Sequence, residues 1–405
     1  MPWKETCCMD EKLSFVAECL RGDLPMISLC EDYGISRKTG YKWLGRYREL
    51  GAEGLVERSR APRRHGRSMA PEVAEAVVAL RRERPHWGPR KLRAVLMREQ
   101  PERMWPAAST MGDLLRAEGL VSARRRRRRV AAPGRTLRPA EGPNEVWCID
   151  FKGWFRTRDG ERCDPLTVTD AYSRYVLACV IVAPRTEEVR AAVEQLFRCY
   201  GLPAAIRSDN GSPFAGTGAG GLSRLSVGWL KAGIALERID PGRPQQNGRH
   251  ERMHRTLKAE TTRPPAANKA CQQARFDRFR EDFNDNRPHE ALGQQPPAAF
   301  WRPSPRPCPE RLEEPWYDAW HAVRRVRTDG SIKWGGDLVF VSEPLAGEPV
   351  GIAETDSGHW IVRFADIDLG IIDRRTKKLH GFRAARPGRA KANRTGNTVT
   401  HVSGL

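Results

Sequence analysis

The sequence contains no pair of cysteines spaced as C-x-x-C, although ten cysteines are scattered through its 405 residues. Zinc ribbons are built on such pairs, so their absence argues against that class of metal module. No window approaches 18 consecutive apolar residues, which argues against a membrane-spanning helix. The first residues lack the long apolar stretch of a secretory signal, so we expect a reducing, cytoplasmic location with free thiols.

Acidic residues are the minority among the charged ones. The sequence has 70 Lys and Arg against 50 Asp and Glu, a formal charge of +20, and residues 1–143 alone have 30 against 18. Such an excess favours a polyanionic partner, so a DNA-binding N-terminal part is the natural interpretation. Charge alone is also compatible with a soluble basic enzyme.

The N-terminal segment has the pattern of a helix-turn-helix. A short helix is predicted over 26–32 and a second from Ser36 to about residue 49, with Gly34 in the turn between them. Ser36 is a favourable N-cap because its hydroxyl can accept from the free N–H groups of the first turn. An ordinary helical hairpin with a solvated basic face would show the same pattern. The predicted DNA contacts are Arg37, Lys38, Thr39 and Lys42, and the predicted packing residues are Ile35, Tyr41, Trp43, Leu44 and Tyr47.

Residues 70–121 predict a second helical region of the same kind. Pro71 marks a helix start, a stripe of apolar residues follows at helical spacing, and the stretch 86–92 breaks and restarts the chain. Ser109 is expected to cap the next helix. The predicted DNA contacts in this region are Arg90 and Lys91.

Residues 144–262 alternate predicted strands and helices. Strands come first and strand–helix repeats follow, which indicates a mixed sheet covered by helices. Short strands separated by Asp-Gly and Gly-Gly turns occupy residues 316–380, and we expect a small β-barrel there. The predicted core elements are strands at 145–151, 166–170, 175–182, 204–208 and 234–238, and helices at 186–200, at 222–232 and from about 247.

Three carboxylates fall at the ends of predicted core elements. Asp150 ends an apolar strand, Asp209 directly follows another, and Glu251 lies in the first turns of a helix. A charge in a buried strand is costly unless it is paired or coordinates a metal. Hard oxygen ligands suit Mg²⁺ or Mn²⁺, and two such ions about 4 Å apart can clamp the attacking and leaving oxygens of a phosphodiester displacement.

Basic residues follow Glu251 at helical spacing. His254, Arg255 and Lys258 stand three, four and seven residues after it, and we expect them to share its face. A metal site beside a row of phosphate contacts suits a helix that cuts DNA, so these three are predicted DNA contacts, with packing as the other role for His254. A surface helix with a salt-bridged face is the alternative.

Three stretches carry a resemblance to a known family. They are W-C-I-D-F-K at 147–152, R-S-D-N-G-S-P-F at 207–214 and P-Q-Q-N-G-R-H-E-R-M-H-R-T-L-K at 244–258. In order and context they are similar to the catalytic core of insertion-sequence transposases of the DDE class, which share an RNase H-like core with retroviral integrases. F-N-D-N-R-P-H at 283–289 and P-P-A at 296–298 resemble the segment that closes that core. Both helical regions resemble the end-binding parts of these transposases.

The resemblance implies a site and a reaction. Asp150, Asp209 and Glu251 would be the catalytic residues and the metal ligands, with two Mg²⁺ ions in each site and Mn²⁺ as a substitute. The enzyme would bind terminal inverted repeats, cleave DNA at the element ends and join the 3′-hydroxyls to target DNA. Its partner would be double-stranded DNA, on which it would act as a homo-oligomer in the bacterial cytoplasm, at the nucleoid.

Two features depart from retroviral integrases. The 41 residues between Asp209 and Glu251 exceed the spacing most familiar from those enzymes, and the glycine-rich stretch 216–221 could be a surface insertion that absorbs the difference. Residues 1–64 contain no histidine, so the His/Cys zinc module that opens retroviral integrases is absent and helix-turn-helix units replace it.

Two other functions compete with this interpretation. His250-Glu251-Arg252-Met253-His254 satisfies H-E-x-x-H, the zinc metallopeptidase pattern. That hypothesis leaves Asp150, Asp209, the helical regions and the net charge unexplained. A transposase-derived regulator that binds DNA without cutting usually lacks one of the carboxylates, and all three are present here.

We therefore predict a multidomain protein with all-α helix-turn-helix units, a central α/β RNase H-like core and a small β domain. The predicted segments are a helix-turn-helix domain at 1–60, a second helix-turn-helix-like domain at 61–123, an arginine-rich linker at 124–143, an integrase-type core at 144–300, a proline-rich linker at 301–315, a small β-barrel at 316–382 and a basic disordered tail at 383–405. The six arginines at 124–129 would stay extended until phosphates neutralise them, as a solvated linker also would.

Overall fold

The computed structural model describes residues 7–57, 69–121, 137, 139–240 and 243–382. The chain divides into two compact units, Met1–Ala70 and Pro71–Leu405. The predicted arginine run at 124–129 and the basic tail at 383–405 lie outside the described residues. Among the helices that are described, none is both long and apolar enough to cross a membrane.

Three helices build the first unit: α1 (Cys8–Arg21), α2 (Met26–Asp32) and α3 (Arg37–Leu50). The predicted N-cap of α3 is confirmed, since the Ser36 hydroxyl accepts from the Thr39 N–H at 3.2 Å. Phe15, Trp43 and Leu55 are buried in one apolar cluster that holds the helices together.

One packing prediction for α3 is wrong. Tyr41 is 61% exposed, because the buried stripe of the helix runs through Gly40, Trp43 and Leu44 and position 41 falls outside it. A Cβ at Gly40 would lie 2.7 Å from Cys30 Sγ, so the glycine permits the close approach of α2 and α3.

The second unit begins with three more helices: α4 (Pro71–Glu83), α5 (Pro89–Glu99) and α6 (Ala108–Ala117). Met111 and Leu115, four residues apart on α6, are both buried. The prediction that Ser109 caps α6 is wrong. The chain leaves its extended conformation after Ala107, so Ser109 falls inside the first turn.

A five-stranded mixed sheet forms the centre of the second unit, as predicted. The spatial order is β5-β4-β1-β6-β7, in which β4 pairs antiparallel with β1 and β5, and β6 pairs parallel with β1 and β7. A separate two-stranded hairpin, β2–β3, follows β1. The strands are β1 (Val146–Phe151), β2 (Phe155–Arg156), β3 (Arg162–Cys163), β4 (Pro165–Asp170), β5 (Val176–Ile181), β6 (Ala205–Ser208) and β7 (Ala235–Arg238).

Four helices accompany this sheet: α7 (Thr186–Tyr200), α8 (Arg224–Lys231), α9 (Gly248–Thr261) and α10 (Lys269–Glu281). Trp147 and Ile149 of β1 are buried against Val193 and Phe197 of α7 in the largest apolar cluster. Alternate residues of β1 thus serve the core, and the same strand carries Asp150 at its far end.

Side-chain amides cover the outer edge of β5. Asn284, in the π-helical turn Asp282–Asn286 after α10, accepts from the Val176 N–H at 2.8 Å and donates to the Val176 carbonyl at 3.0 Å. Gln273 of α10 accepts from the Ile181 N–H and donates to the Cys179 carbonyl, both at 2.9 Å. Each amide therefore takes the place that a neighbouring strand would occupy.

Helices α4–α6 contact the core at the π-helical turn Asp282–Asn286. Arg84 forms an ion pair with Asp282 at 2.7 Å, and Arg98 donates to the Asn286 carbonyl at 3.3 Å. The guanidinium of Arg287 lies 5.8 Å from the ring centroid of buried Trp87, which stands two residues before α5. Helices α4–α6 and the core thus share one compact unit.

The prediction of a small β-barrel is wrong for the described residues. Five strands form an open antiparallel sheet in the order β14-β13-β12-β11-β8, while β9 and β10 pair only with each other. The barrel does not close because this hairpin does not bridge the edge strands β8 and β14. The strands are β8 (Ala322–Arg325), β9 (Ser331–Trp334), β10 (Asp337–Phe340), β11 (Pro349–Glu354), β12 (Trp360–Phe364), β13 (Ile367–Ile372) and β14 (Leu379–His380).

This C-terminal sheet packs on the core. Leu222 and Val227, beside and within α8, belong to the same apolar cluster as Val350, Phe364 and other inward residues of the sheet. The glycine-rich stretch 216–221 reaches the same place, since a Cβ at Gly220 would lie 3.0 Å from a Leu369 methyl carbon. The stretch predicted as a surface insertion is therefore also a contact between the core and the C-terminal sheet.

Candidate active site

Two parallel strands bring Asp150 and Asp209 to one edge of the core sheet. The register pairs Trp147 with Ile206 and Cys148 with Arg207. If this register is continued by two residues along each strand, Asp150 of β1 comes next to Asp209, which directly follows β6. Because parallel strands run in the same direction, backbone pairing alone places both carboxylates at the same end.

Helix α9 supplies the third carboxylate. Met253 and Leu257 on its inner face are buried against Val176 and Phe276, which fixes the helix on the sheet. Glu251 lies in the first turn, as predicted, and is exposed.

The three carboxylates interact electrostatically. Burial, the charge of Asp209 and the charge of Glu251 raise the pKa of Asp150 to about 7, against the lowering effect of the Phe151 N–H. Burial and two neighbouring carboxylates make it costly to ionise Asp150. A cation bound at this place would stabilise the ionised form. The donor set is hard oxygen, which fits Mg²⁺ or Mn²⁺.

Asp209 is held by its own loop. The Gly211 N–H donates to Asp209 Oδ1 at 3.1 Å, and a Cβ at Gly211 would lie 3.0 Å from Asp209 Oδ2. Arg238, at the end of β7, lies near enough for the Asp209 charge to oppose the burial that lowers the Arg238 pKa. Its Nη1 atom is buried without a hydrogen-bond partner. This arginine was absent from the sequence-based site.

Two histidines lie beneath Asp150 on the buried face of α9. His250 is 1% exposed and His254 7%, and their rings meet edge to face with centroids 4.6 Å apart. Burial lowers the pKa of His250 to about 3. Burial, with His250 and Lys152 adding to it, lowers the pKa of His254 to about 2. Both rings are therefore neutral at physiological pH.

A threonine hydroxyl joins the two rings to the strand of Asp150. Thr167 is the cross-strand partner of Asp150, and its Oγ1 donates to the Asp150 carbonyl at 3.0 Å. The same oxygen lies 2.7 Å from His250 Nε2 and 2.6 Å from His254 Nε2. Thr169 Oγ1 lies 2.7 Å from His250 Nδ1. The sequence contained a signal for this: Thr167 and Thr169 alternate on β4 at the spacing of one sheet face.

This geometry argues against the zinc peptidase hypothesis. A peptidase of the H-E-x-x-H type needs both histidines of the motif as ligands of one ion. Here both Nε2 atoms converge instead on the hydroxyl of Thr167 at hydrogen-bonding distance.

Asp150 and the histidines form a compact set of possible ligands. Within the described residues, Asp150, His250 and His254 are the trio whose donor atoms all lie within 4.8 Å of one another. His254 Nδ1 is 3.9 Å from Asp150 Oδ2. The predicted set of Asp150, Asp209 and Glu251 is coupled electrostatically but less tightly gathered, with Glu251 turned to solvent.

The predicted DNA-contacting residues occupy three environments. On α3, Arg37, Lys38 and Lys42 are exposed, while the Thr39 hydroxyl lies 2.9 Å from that of Ser36. On α9, Arg255 and Lys258 are exposed beside Glu251, whereas His254 faces inward.

The third environment is the start of α5. Arg90 forms an ion pair with Glu290, and the half-buried Lys91 lies among charges of the core. Burial first, and then the charge of Arg287, lower the pKa of Lys91 to about 7, against Glu260 and Glu290.

Lys152 adds a cation that the sequence-based site did not include. Burial and the charge of Lys258 lower its pKa, while Asp150 opposes them. Lys152 therefore lies close to both the Asp150 carboxylate and Lys258, and a second cation near it suits a phosphate group at this place.

Four family models match the chain. Two are described as Integrase core domain and cover residues 140–244 and 232–297. A Helix-turn-helix domain model matches residues 11–63, and a Homeodomain-like domain model matches residues 39–115. The matches thus fall on the core sheet with α9 and on the helical regions.

Individual proteins with similar sequences come from insertion elements. The insertion element IS407 uncharacterized 31.7 kDa protein of Burkholderia multivorans is 31% identical over 232 residues, which cover 56% of this chain and 80% of that protein. The insertion element IS476 uncharacterized 39.2 kDa protein of Xanthomonas euvesicatoria is 28% identical over 188 residues, covering 45% of this chain and 52% of that one. Among solved structures, the HTLV-2 integrase catalytic core domain in complex with magnesium aligns at 14% identity with a TM-score of 0.32, covering 40% of this chain and 97% of that chain.

Proposed function

This chain belongs to the insertion-sequence transposases with a retroviral-integrase-type core, and from that premise we propose that it cuts DNA at the ends of its element and joins them to target DNA. The observation that carries the proposal is the parallel pairing of β1 with β6, which brings Asp150 and Asp209 to one end of the sheet, together with Glu251 in the first turn of α9. Three carboxylates on the ends of β1, β6 and the start of α9 are the donor set that phosphodiester transfer needs.

Asp150, Asp209 and Glu251 would hold divalent cations, Mg²⁺ or Mn²⁺, at this edge of the sheet. The raised pKa of Asp150, which burial and the two neighbouring carboxylates cause, fits a site completed by positive charge. When bound, a pair of such ions would neutralise the developing charge on the attacking and leaving oxygens of a phosphodiester.

The residues of the chain position the substrate. Lys152 lies near Asp150, and Arg255 and Lys258 are exposed on the same helix as Glu251, so a phosphate backbone can lie across the site. Paired strands hold the two aspartates, and the loop of Gly211 orients Asp209. Water would be the nucleophile for cleavage and the freed 3′-hydroxyl for joining, with catalysis by positioning and charge neutralisation.

Recognition of the element ends would come from the helical regions. In α3 the cations Arg37, Lys38 and Lys42 are exposed at the N-terminal turns, where a recognition helix contacts base edges and phosphates. Each of the two element ends needs an active site, so at least two copies of the chain would assemble on double-stranded DNA at the nucleoid.

Strand cleavage of a duplex carrying the element's own ends tests the proposal. Wild-type protein should cut with Mg²⁺ or Mn²⁺ and not with EDTA, and Glu251→Gln should bind the ends without cutting. Glu281→Gln, which changes an exposed glutamate at the end of α10, is the matched control and should cut normally. Wild-type protein that binds the ends but never cuts would contradict the enzyme and favour a DNA-binding regulator.

A further inference from the structure

The orientation of the His254 ring leaves one nitrogen facing the active site. Its Nε2 lies 2.6 Å from Thr167 Oγ1, and its Nδ1 lies 3.9 Å from Asp150 Oδ2. The ring is 7% exposed and held between β4 and α9, so it is fixed before any ligand arrives.

The hydroxyl of Thr167 determines which nitrogen carries the proton. A hydroxyl has one proton to donate, and a carbonyl can only accept. Thr167 Oγ1 donates to the Asp150 carbonyl, and the proton assignment that satisfies all three contacts has it accept from the Nε2–H groups of both His250 and His254. A neutral imidazole with its proton on Nε2 has a lone pair on Nδ1. His254 Nδ1 and Asp150 Oδ2 are then two electron-pair donors that face each other.

The distance between these two atoms fits a shared cation. At 3.9 Å they are too far apart for a hydrogen bond. Imidazole nitrogens and carboxylate oxygens bind divalent cations at about 2.0–2.2 Å, so two such atoms on one ion lie up to about 4.2 Å apart.

His250 cannot serve in the same way. Both of its ring nitrogens are hydrogen-bonded, Nε2 with Thr167 and Nδ1 with Thr169, and the side chain is 1% exposed. His254 differs, because its Nδ1 lies 3.9 Å from Asp150 Oδ2 and its hydrogen bond to Thr167 uses the other nitrogen, Nε2. His250 instead supports the ring of His254 through the shared hydroxyl of Thr167.

We propose that His254 Nδ1 is a further metal ligand of this site, on the same cation as Asp150 Oδ2. The site would then be a mixed nitrogen and oxygen site and not an all-carboxylate one. Imidazole favours the later first-row metals, whereas Mg²⁺ prefers oxygen and water, so the site should bind Mn²⁺ more tightly than Mg²⁺. The inference deepens the proposed function, but its test needs neither DNA nor cleavage.

Pulsed electron paramagnetic resonance of Mn²⁺ bound to the full-length protein tests the proposal. Wild-type protein should show the nitrogen coupling of a directly bound imidazole. Labelling all histidines with ¹⁵N should replace the ¹⁴N coupling with a ¹⁵N coupling, which needs no substitution in a buried site. The absence of histidine coupling in folded wild-type protein with Mn²⁺ bound would overturn the proposal, and would indicate that Nδ1 carries the proton.

Calorimetric titration of the metal supplies a second measurement. His254→Gln should weaken Mn²⁺ binding on the order of tenfold and Mg²⁺ binding less, which reduces the preference between the ions. Thr169→Val is the control, because it removes a hydrogen bond to His250 and leaves Nδ1 of His254 in place. This variant should keep the preference for Mn²⁺ over Mg²⁺. Equal losses for both ions in His254→Gln would also overturn the proposal.

The result separates this inference from the proposed function. Nitrogen coupling in a protein that never cuts its own element ends would leave the metal site standing and reject the transposase activity. Cleavage without nitrogen coupling would support the transposase activity and reject His254 as a metal ligand.

Discussion

The active site and helix α3 place their functional side chains in opposite environments. In the active site, Asp150 and His254 lie within or beside a packed sheet, and each interacts with several neighbours. On α3, Arg37, Lys38 and Lys42 are exposed to solvent, and Lys42 lies 4.2 Å from the ring centroid of Trp43. Coupled buried groups lose function together when one is changed, whereas exposed cations contribute small and separate amounts.

The start of α5 stands between these extremes. Its Arg90 and Lys91 were predicted to contact DNA, yet Arg90 pairs with Glu290 and Lys91 is half-buried against the core. Two helical regions with similar sequence patterns therefore use their cations differently. The cations of α3 are exposed and available to a phosphate backbone, whereas those of α5 lie next to charged residues of the core.

Changing one of the proposed catalytic carboxylates should give the largest effect. Asp150→Asn or Asp209→Asn should reduce strand cleavage on the order of 10³-fold, because each removes charge that the reaction needs. Binding of the element ends, measured by gel shift, should stay within about twofold, since α3 is unchanged. Parallel losses of cutting and binding would show that these residues also serve the fold or the DNA contact.

Removing a buried cation should give the next largest effect. Arg287 is 6% exposed and lies 2.7 Å from Glu260 on α9, so Arg287→Ala should lower the free energy of unfolding by about 3 kcal/mol. Arg90→Ala breaks an ion pair between side chains that are 70% and 71% exposed, and should cost about 0–1 kcal/mol. Urea denaturation measures both. Similar losses would mean that burial does not separate the two contacts.

Lys91 should give a smaller effect that depends on pH. Its pKa in the folded protein is about 7 and its ordinary value is 10.5, so between these values the unfolded chain binds more protons. Stability should therefore rise with pH across that window. Lys91→Met should be more stable than wild type at pH 7, with the gap closing towards pH 10.

The control for Lys91→Met is Lys38→Met, which removes one exposed lysine from α3. Denaturation of all three proteins at several pH values measures the gap. A gap that stays constant with pH would mean that Lys91 keeps its proton in the folded protein.

Single substitutions on α3 should have the smallest effect. Lys42→Ala or Arg37→Ala should weaken end binding only about 3- to 10-fold, and each should reduce the slope of affinity against salt by about one, because each removes a single phosphate neighbour. Arg48→Ala, at the far end of the same helix, should change neither. Titrations by fluorescence anisotropy at several salt concentrations measure both quantities, and a slope unchanged in all three variants would remove α3 from the phosphate interface.

The sequence predicted what local patterns encode. The cap at Ser36, the strand that ends at Asp150 and the helix that carries Glu251 each depend on neighbouring residues, and all are present. The sequence also indicates the inward position of His254, because this residue continues the apolar stripe of Met253 and Leu257. The prediction instead grouped it with the basic residues on the exposed face of α9.

Pairing between distant strands was harder to predict. The residues near the Gly335-Gly336 turn do not specify that β9 and β10 pair only with each other while β8 pairs with β11. The choice of partner strand depends on contacts between residues that are far apart in sequence. Local patterns therefore predicted the short strands but not their arrangement as an open sheet. The alternation of Thr167 and Thr169 indicates a shared face of β4, but their contact with His250 of α9 depends on packing between residues that are 83 and 81 positions apart.

The amides that cover β5 have a consequence for how copies of the chain can associate. An uncovered outer strand is a template on which another chain adds its own strand, and this leads to aggregation or domain exchange. Asn284 and Gln273 already use the backbone groups of Val176, Cys179 and Ile181 that such an addition would need. In the proposed assembly on DNA, copies of the chain would therefore meet along this edge through side chains, without merging their sheets.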